Sequence, residues 1–110
     1  KVKFLIFVLN SAWIELFALV RITHKDVIPE KILLSSHDEN DFSLKVYDLG
    51  FARNFDAETN LDHVIGTPLF RAPEVVKEEI YNDKIDVWGV GCITYLLLSG
   101  RCPFNLKNEE

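Results

Sequence analysis

The run Val87-Trp-Gly-Val-Gly-Cys-Ile-Thr-Tyr-Leu-Leu-Leu98 constrains the fold more than any other stretch of the chain. It belongs to a helix expected from Asp83 to Ser99, with Asn82 or Asp83 as its cap and Gly100 as its stop. No face of that helix is polar, so it must be enclosed by protein on every side. A second apolar stretch, Phe4 to Val20, is broken only by Asn10, Ser11 and Glu15. With Lys1 and Lys3 in front, it imitates a signal peptide or a short membrane span. No Met precedes it and no small-residue cleavage pattern follows, and Glu15 would cost about 2.5–3.5 kcal/mol in a bilayer. A helix buried within a larger domain explains the same letters, and a membrane anchor is the lesser alternative.

The 110 residues allow one domain at most, and 48% apolar with 26% charged residues is the balance of a globular chain. Twelve basic against 17 acidic side chains, a net charge of −5, argue against a nucleic-acid partner. Cys92 and Cys102 are too few for a disulfide framework and sit at no zinc-site spacing. Reduced thiols in an intracellular, cytoplasmic protein are the expectation, with Cys92 packed as a small hydrophobe. A chain without a single Met is expected to be a piece of something longer.

Lys31-Ile-Leu-Leu-Ser35 and Ser43-Leu-Lys-Val-Tyr47 are apolar runs of strand length, separated by the polar Ser36-His-Asp-Glu-Asn-Asp-Phe42. Together they predict an antiparallel hairpin over 31–47. Two five-residue strands at about 3.4 Å per residue cancel each other's displacement, so Asp26 and Asp48 can end near one another. Paired carboxylates suggest a metal-assisted site, although surface Asp residues flanking a hairpin would look the same. Phe51 to His63 reads as an irregular loop.

The order of short motifs sharpens this reading. His24-Lys-Asp26 with Pro29-Glu30, then Asp48-Leu-Gly50, Gly66-Thr-Pro68 and Ala72-Pro-Glu74 resemble the protein-kinase signature set in order and spacing. Asp86-Val-Trp88 and Gly100-Arg-Cys-Pro-Phe104 resemble the second lobe of that family, and the likeness runs from Ile22 to Phe104. The wording around Gly66–Glu74 and Thr94–Phe104 looks most like the Ser/Thr branch, and weakly like its calcium/calmodulin-dependent group. The resemblance implies an α+β fold: a kinase-like C-terminal lobe, mainly helical with a short β-hairpin, and with the N-terminal lobe absent. It divides the chain into an apolar helix 4–20, a catalytic loop 24–31, the hairpin 31–47, an activation segment 48–74 and a buried helix 83–99.

Position by position, the resemblance implies that Asp26 accepts the proton of a substrate hydroxyl and that Asp48 holds the magnesium bridging the phosphates of ATP. Gly50 would allow a sharp backbone turn behind the metal ligand. Thr67 falls where a substrate-docking loop touches the catalytic carboxylate. Glu74 would form a buried ion pair with an arginine further along, and Asp86 would anchor the catalytic loop from the buried helix. His24 reads as a packed core histidine. Lys25 replaces an arginine, keeping the charge without the planar fork that grips a phosphorylated loop.

Two departures bear on activity. Ile28 stands where the family has a lysine, and Lys31 where it has an asparagine. Ile28 offers no charge to a phosphoryl group, and an ammonium has no lone pair for a cation. Losing one preorganised stabilising group costs about 2.7–4 kcal/mol, so losing two costs roughly 5–8. Lys31 reaching a phosphate would recover part of this, while still repelling a second magnesium. Thr59, the only hydroxyl between Asp48 and Gly66, lies farther from Gly66 than the usual phosphosite, where His63 stands as an ordinary loop histidine. The expectation is therefore a fragment of a Ser/Thr kinase domain, inactive as this chain, whose parent uses ATP and Mg and acts on a protein substrate. The alternative is a pseudokinase or degraded kinase binding a regulatory protein. No cofactor is expected for the isolated fragment.

Overall fold

The computed structural model describes residues 6, 7, 9–11, 19, 21–54 and 64–105. Most of the stretch 4–20 therefore lies outside the described residues, as do Thr59 and His63. Residues 6, 7, 9–11 and 19 are helical. Among the described residues, no helix is long and apolar enough to cross a membrane.

Among the described residues, four short strands form two antiparallel pairs. β1 (Ile22–Thr23) pairs with β4 (Arg53–Asn54), and β2 (Ile32–Leu34) with β3 (Leu44–Val46). In the second pair Ile32 faces Val46, Leu33 faces Lys45 and Leu34 faces Leu44. Ser35 N donating to Ser43 O and Tyr47 N donating to Lys31 O extend the ladder at both ends. The hairpin thus falls inside the expected span, and its polar connection is tightened by Asp38 and Asp41 side chains accepting from backbone N–H groups two residues on. The first pair was not anticipated. Arg53 and Asn54, assigned to a loop from sequence, pair with Ile22 and Thr23 instead. Two-residue strands carry too little alternation to be read as periodicity.

The long helix runs Lys84–Ser99. Asn82 Oδ1 accepts from Lys84 N at its start, while Gly100 at φ 73° donates its N–H to Leu96 O at its end. A left-handed residue closing a helix is where glycine costs least. Asp86, Gly89, Val90 and Ile93, spaced i, i+3, i+4 and i+7, are buried and form one face. Leu9, Val27, Val90 and Ile93 make one core cluster, against which Ile32, Leu44, Val46 and Phe70 pack. Ala72, Val75, Tyr81 and Ile85 make a second, with Trp88 beside it, which seats the short helix Pro73–Val76 on the first turn of the long one.

Among the described residues the helix is covered on one side only. Val87 is 52% exposed and Leu98 63%, and Tyr95 also faces outward. Helical periodicity still decides which side is buried; the sequence hides it because the outward positions are apolar too. Beside this face a groove of about 720 Å³ runs between Trp88, Tyr95 and Phe104, with the Trp88 and Phe104 rings stacked at 5.5 Å.

Candidate functional site

The site is built where the loop after β1, the turn after β3 and the long helix converge. Asp86, 2% exposed on the helix, takes both backbone donors at the start of the loop. Its Oδ2 accepts from His24 N and its Oδ1 from Lys25 N at 2.9 Å. One turn along, Gly89 lets the loop lie on the helix, since a Cβ there would stand 3.0 Å from both Val27 Cβ and Val27 O. These contacts fix the loop in an unusual path, with Lys25 at φ 72°. Burial pushes the Asp86 carboxyl up to about 6, against the opposing pull of the two backbone N–H groups.

His24 is buried and spans the loop and the hairpin. Its Nδ1 accepts from Asp26 N at 3.3 Å, which leaves the ring proton on Nε2 to donate to Tyr47 O at 3.1 Å. Lys25 is buried as well, and burial followed by the charge of Arg53 draws its ammonium pKa below the usual range, with Asp86 acting in the other direction.

Asp26 and Asp48 meet, as the hairpin arithmetic anticipates, and what joins them is Lys31. The Lys31 ammonium donates to Asp26 Oδ2 and lies 3.0 Å from Asp48 Oδ2. The other Asp26 oxygen, Oδ1, accepts from Thr67 N at 2.9 Å and Thr67 Oγ1 at 2.8 Å. Burial works against the Asp26 charge, yet the Lys31 and Thr67 donors outweigh it and hold the carboxyl below the usual range. Asp48 is lowered too, first by the Lys31 hydrogen bond and then by Gly50 N–H. Burial pulls the Lys31 ammonium down while its two carboxylates raise it, and the net direction is upward. Lys31 thus reaches two carboxylates at once.

Gly50 lies in a tight turn just after Asp48, in which Ala52 N donates to Leu49 O at 3.0 Å. The left-handed backbone falls on Asp48, at φ 64°, and not on Gly50. Gly50 instead donates its N–H to Asp48 Oδ1 at 3.2 Å, and a Cβ there would stand 3.1 Å from that oxygen. Ile28 caps the 3₁₀ turn Pro29–Lys31 and is half-buried. Glu74 is half-buried and makes no ion pair among the described residues.

Sequence reasoning passed over Gly66 and Arg71. Gly66 sits at φ 96°, and a Cβ there would come within 2.8 Å of Lys25 O. Arg71 Nε donates to Gly66 O at 2.9 Å, holding the Thr67 segment against Asp26. The motif Gly66-Thr-Pro68 carried the signal for the first, since a glycine before a docked threonine marks a close backbone approach.

Magnesium demands octahedral oxygen ligation at about 2.0–2.1 Å. Two carboxylates are suitable donors by chemistry, but here each presents an oxygen to an ammonium, and a lysine has no lone pair to add. No cluster of three or more metal-ligating side chains exists among the described residues. As arranged, the residues do not fit the ion.

A loop carboxylate bonded to a threonine, a second carboxylate on the turn after a hairpin, and a helix aspartate gripping the loop backbone thus stand together. A family model for the protein kinase domain matches residues 10–110, and the chain belongs to that family. It is 42% identical over 88 residues to serine/threonine-protein kinase ATG1b of Arabidopsis thaliana, covering 80% of this chain and 12% of that protein. It is 39% identical over 88 residues to calcium-dependent protein kinase 4 of Plasmodium berghei, covering 80% and 16%. Serine/threonine-protein kinase DCLK1 of Rattus norvegicus is 40% identical over 91 residues, covering 83% and 21%. The chain therefore spans about a fifth or less of the length of these relatives.

Proposed function

We propose that this chain is the catalytic-loop, activation-segment and central-helix portion of the C-terminal lobe of a Ser/Thr protein kinase, and that it does not itself transfer phosphate. The parent reaction is transfer of the ATP γ-phosphoryl group to a protein hydroxyl, in an intracellular, cytoplasmic setting. Asp26 stands where the hydroxyl proton would be accepted, Thr67 where a protein substrate would dock beside it, and Asp86 positions both through the loop backbone. The family uses ATP and magnesium; this chain's residues do not fit the ion, and no step is drawn through it.

One observation carries the inactive reading: the Lys31 ammonium is bonded to Asp26 Oδ2, with Thr67 on Oδ1. To accept a hydroxyl proton Asp26 would have to share or give up the oxygen that Lys31 holds. Ile28 adds the loss of a charge at the phosphoryl group. Relatives of both the ATG1 and the calcium-dependent kind match at similar identity, so the calcium/calmodulin-dependent subgroup rests on motif wording alone.

A pseudokinase that binds a regulatory protein is the second reading, favoured by the same lysine. The test assays phosphotransfer to a protein substrate by the intact protein containing this chain, alongside a variant with Ile28→Lys and Lys31→Asn. The unaltered protein is expected to be slower by roughly 10⁴–10⁶-fold, from the two lost stabilising groups. Equal rates for the two would sink the inactive reading.

A further inference from the structure

The position of Lys31 suggests a role beyond a lost asparagine. Its ammonium touches one carboxylate from the loop and one from the turn, which is the connection a metal ion would make. The side chain is largely buried, 12% exposed, and the ammonium lies 5.8 Å from the centroid of the Phe51 ring, within cation–π range. Its backbone is pinned from both sides: Lys31 N donates to Ile28 O, and Lys31 O accepts from Tyr47 N at 3.0 Å. The stem therefore starts from a fixed point, at the junction of the 3₁₀ turn and β2, and has little freedom to swing out.

Charge and geometry agree. Two acids and one ammonium leave a single net negative charge, and Asp26 Oδ1 is committed to Thr67. A divalent ion approaching this place meets a like charge within a few ångströms, and that repulsion opposes the pull of the two carboxylates. To bind, the ion would have to break the Lys31–Asp26 and Lys31–Asp48 contacts and leave the ammonium buried without them.

We propose that Lys31 is the resident cation of the Asp26–Asp48 site, tying the loop to the turn without metal and closing the site to divalent ions. The inference rests on the kinase reading for one point, that Asp48 occupies a metal-binding position. A nucleotide bound by the intact protein would on this view gain nothing from magnesium through Asp48.

The test uses Mn²⁺ as a paramagnetic probe, so no step depends on phosphotransfer. The free-ion electron paramagnetic resonance signal is titrated with the wild-type chain, with Lys31→Asn and with Lys31→Asn combined with Asp48→Asn. The wild type is expected to leave the signal unchanged. Lys31→Asn is expected to bind about tenfold or more tightly, and the double variant to fall back to the wild-type result. Equal binding by wild type and Lys31→Asn, lost on removing Asp48, overturns the resident-cation proposal and leaves the kinase reading standing. No binding by a folded Lys31→Asn variant overturns the proposal and takes the metal assignment of Asp48 with it. Should that variant fail to fold, the wild type decides alone: Mn²⁺ is added to the ¹⁵N-labelled chain. Unbroadened amide signals at residues 26–27 and 48–50 support the proposal, and selective broadening there overturns it.

Discussion

The two sides of the long helix are held in opposite ways. On the loop side, Asp86, His24, Asp26, Lys31 and Thr67 are linked by hydrogen bonds to one another or to backbone. On the far side, Val87, Tyr95 and Leu98 remain exposed next to an apolar groove. The polar side is held by directional contacts, whereas the apolar side is merely hydrophobic. Specific polar contacts fail steeply when one member is removed, because a buried donor is left unpaired. Exposed apolar residues contribute little to folding and much to association.

Removing the Asp86 carboxylate should therefore have the largest effect. Asp86→Ala leaves the His24 and Lys25 N–H groups buried without their acceptors, at about 1–3 kcal/mol each. Urea unfolding should show a loss of about 2–6 kcal/mol; no change would mean that the helix does not hold the loop. Asp86→Asn keeps one acceptor oxygen and should cost less. The same pair of proteins tests the pH dependence. A carboxyl raised to about 6 binds a proton more readily in the folded chain than unfolded. Its contribution is present in full below the unfolded value near 4 and is lost as pH rises through about 6. The stability difference between wild type and Asp86→Asn should accordingly shift toward the wild type on going from pH 7 to pH 4. Asp26 and Asp48 act with the opposite sign: their lowered values stabilise the fold above the usual carboxylate range, and that is lost at more acid pH.

Gly66→Ala should come next. Its Cβ would press on Lys25 O from a positive-φ backbone, and about 2 kcal/mol is expected in the same unfolding measurement. A silent substitution would show that the Thr67 segment is free to back away from Asp26. The smallest effect belongs to the other face. Leu98→Gln should change unfolding free energy by less than about 0.5 kcal/mol while reducing self-association in sedimentation velocity. A large loss of stability there would show that the two sides are not so different after all.

Much of the frame was legible before any coordinates. The hairpin announced itself through two apolar runs around a polar turn, and the long helix through its cap and glycine stop. Strand lengths allowed Asp26 and Asp48 to end near one another, and in the structure both touch Lys31. Other features depend on three-dimensional fit and leave no periodic trace. The β1–β4 pair is two residues long, the left-handed backbone fell on Asp48 where a glycine stood nearby, and the reach of Lys31 to two acids depends on the path of the turn. The one-sidedness of the long helix was masked because its outer positions are as apolar as its inner ones. The expectations for 4–20 and for 55–63 fall wholly or largely on residues outside those described.

The pairing of Ile22 with Asn54 and Thr23 with Arg53 has a mechanical consequence. It makes everything from 24 to 52 a closed noose of chain with a neck only two residue pairs wide. Both acids and the lysine between them hang inside that noose. Parting Arg53 and Asn54 from their neighbours would loosen the return end, next to Asp48, while Asp86 and Thr67 still hold the end that carries Asp26.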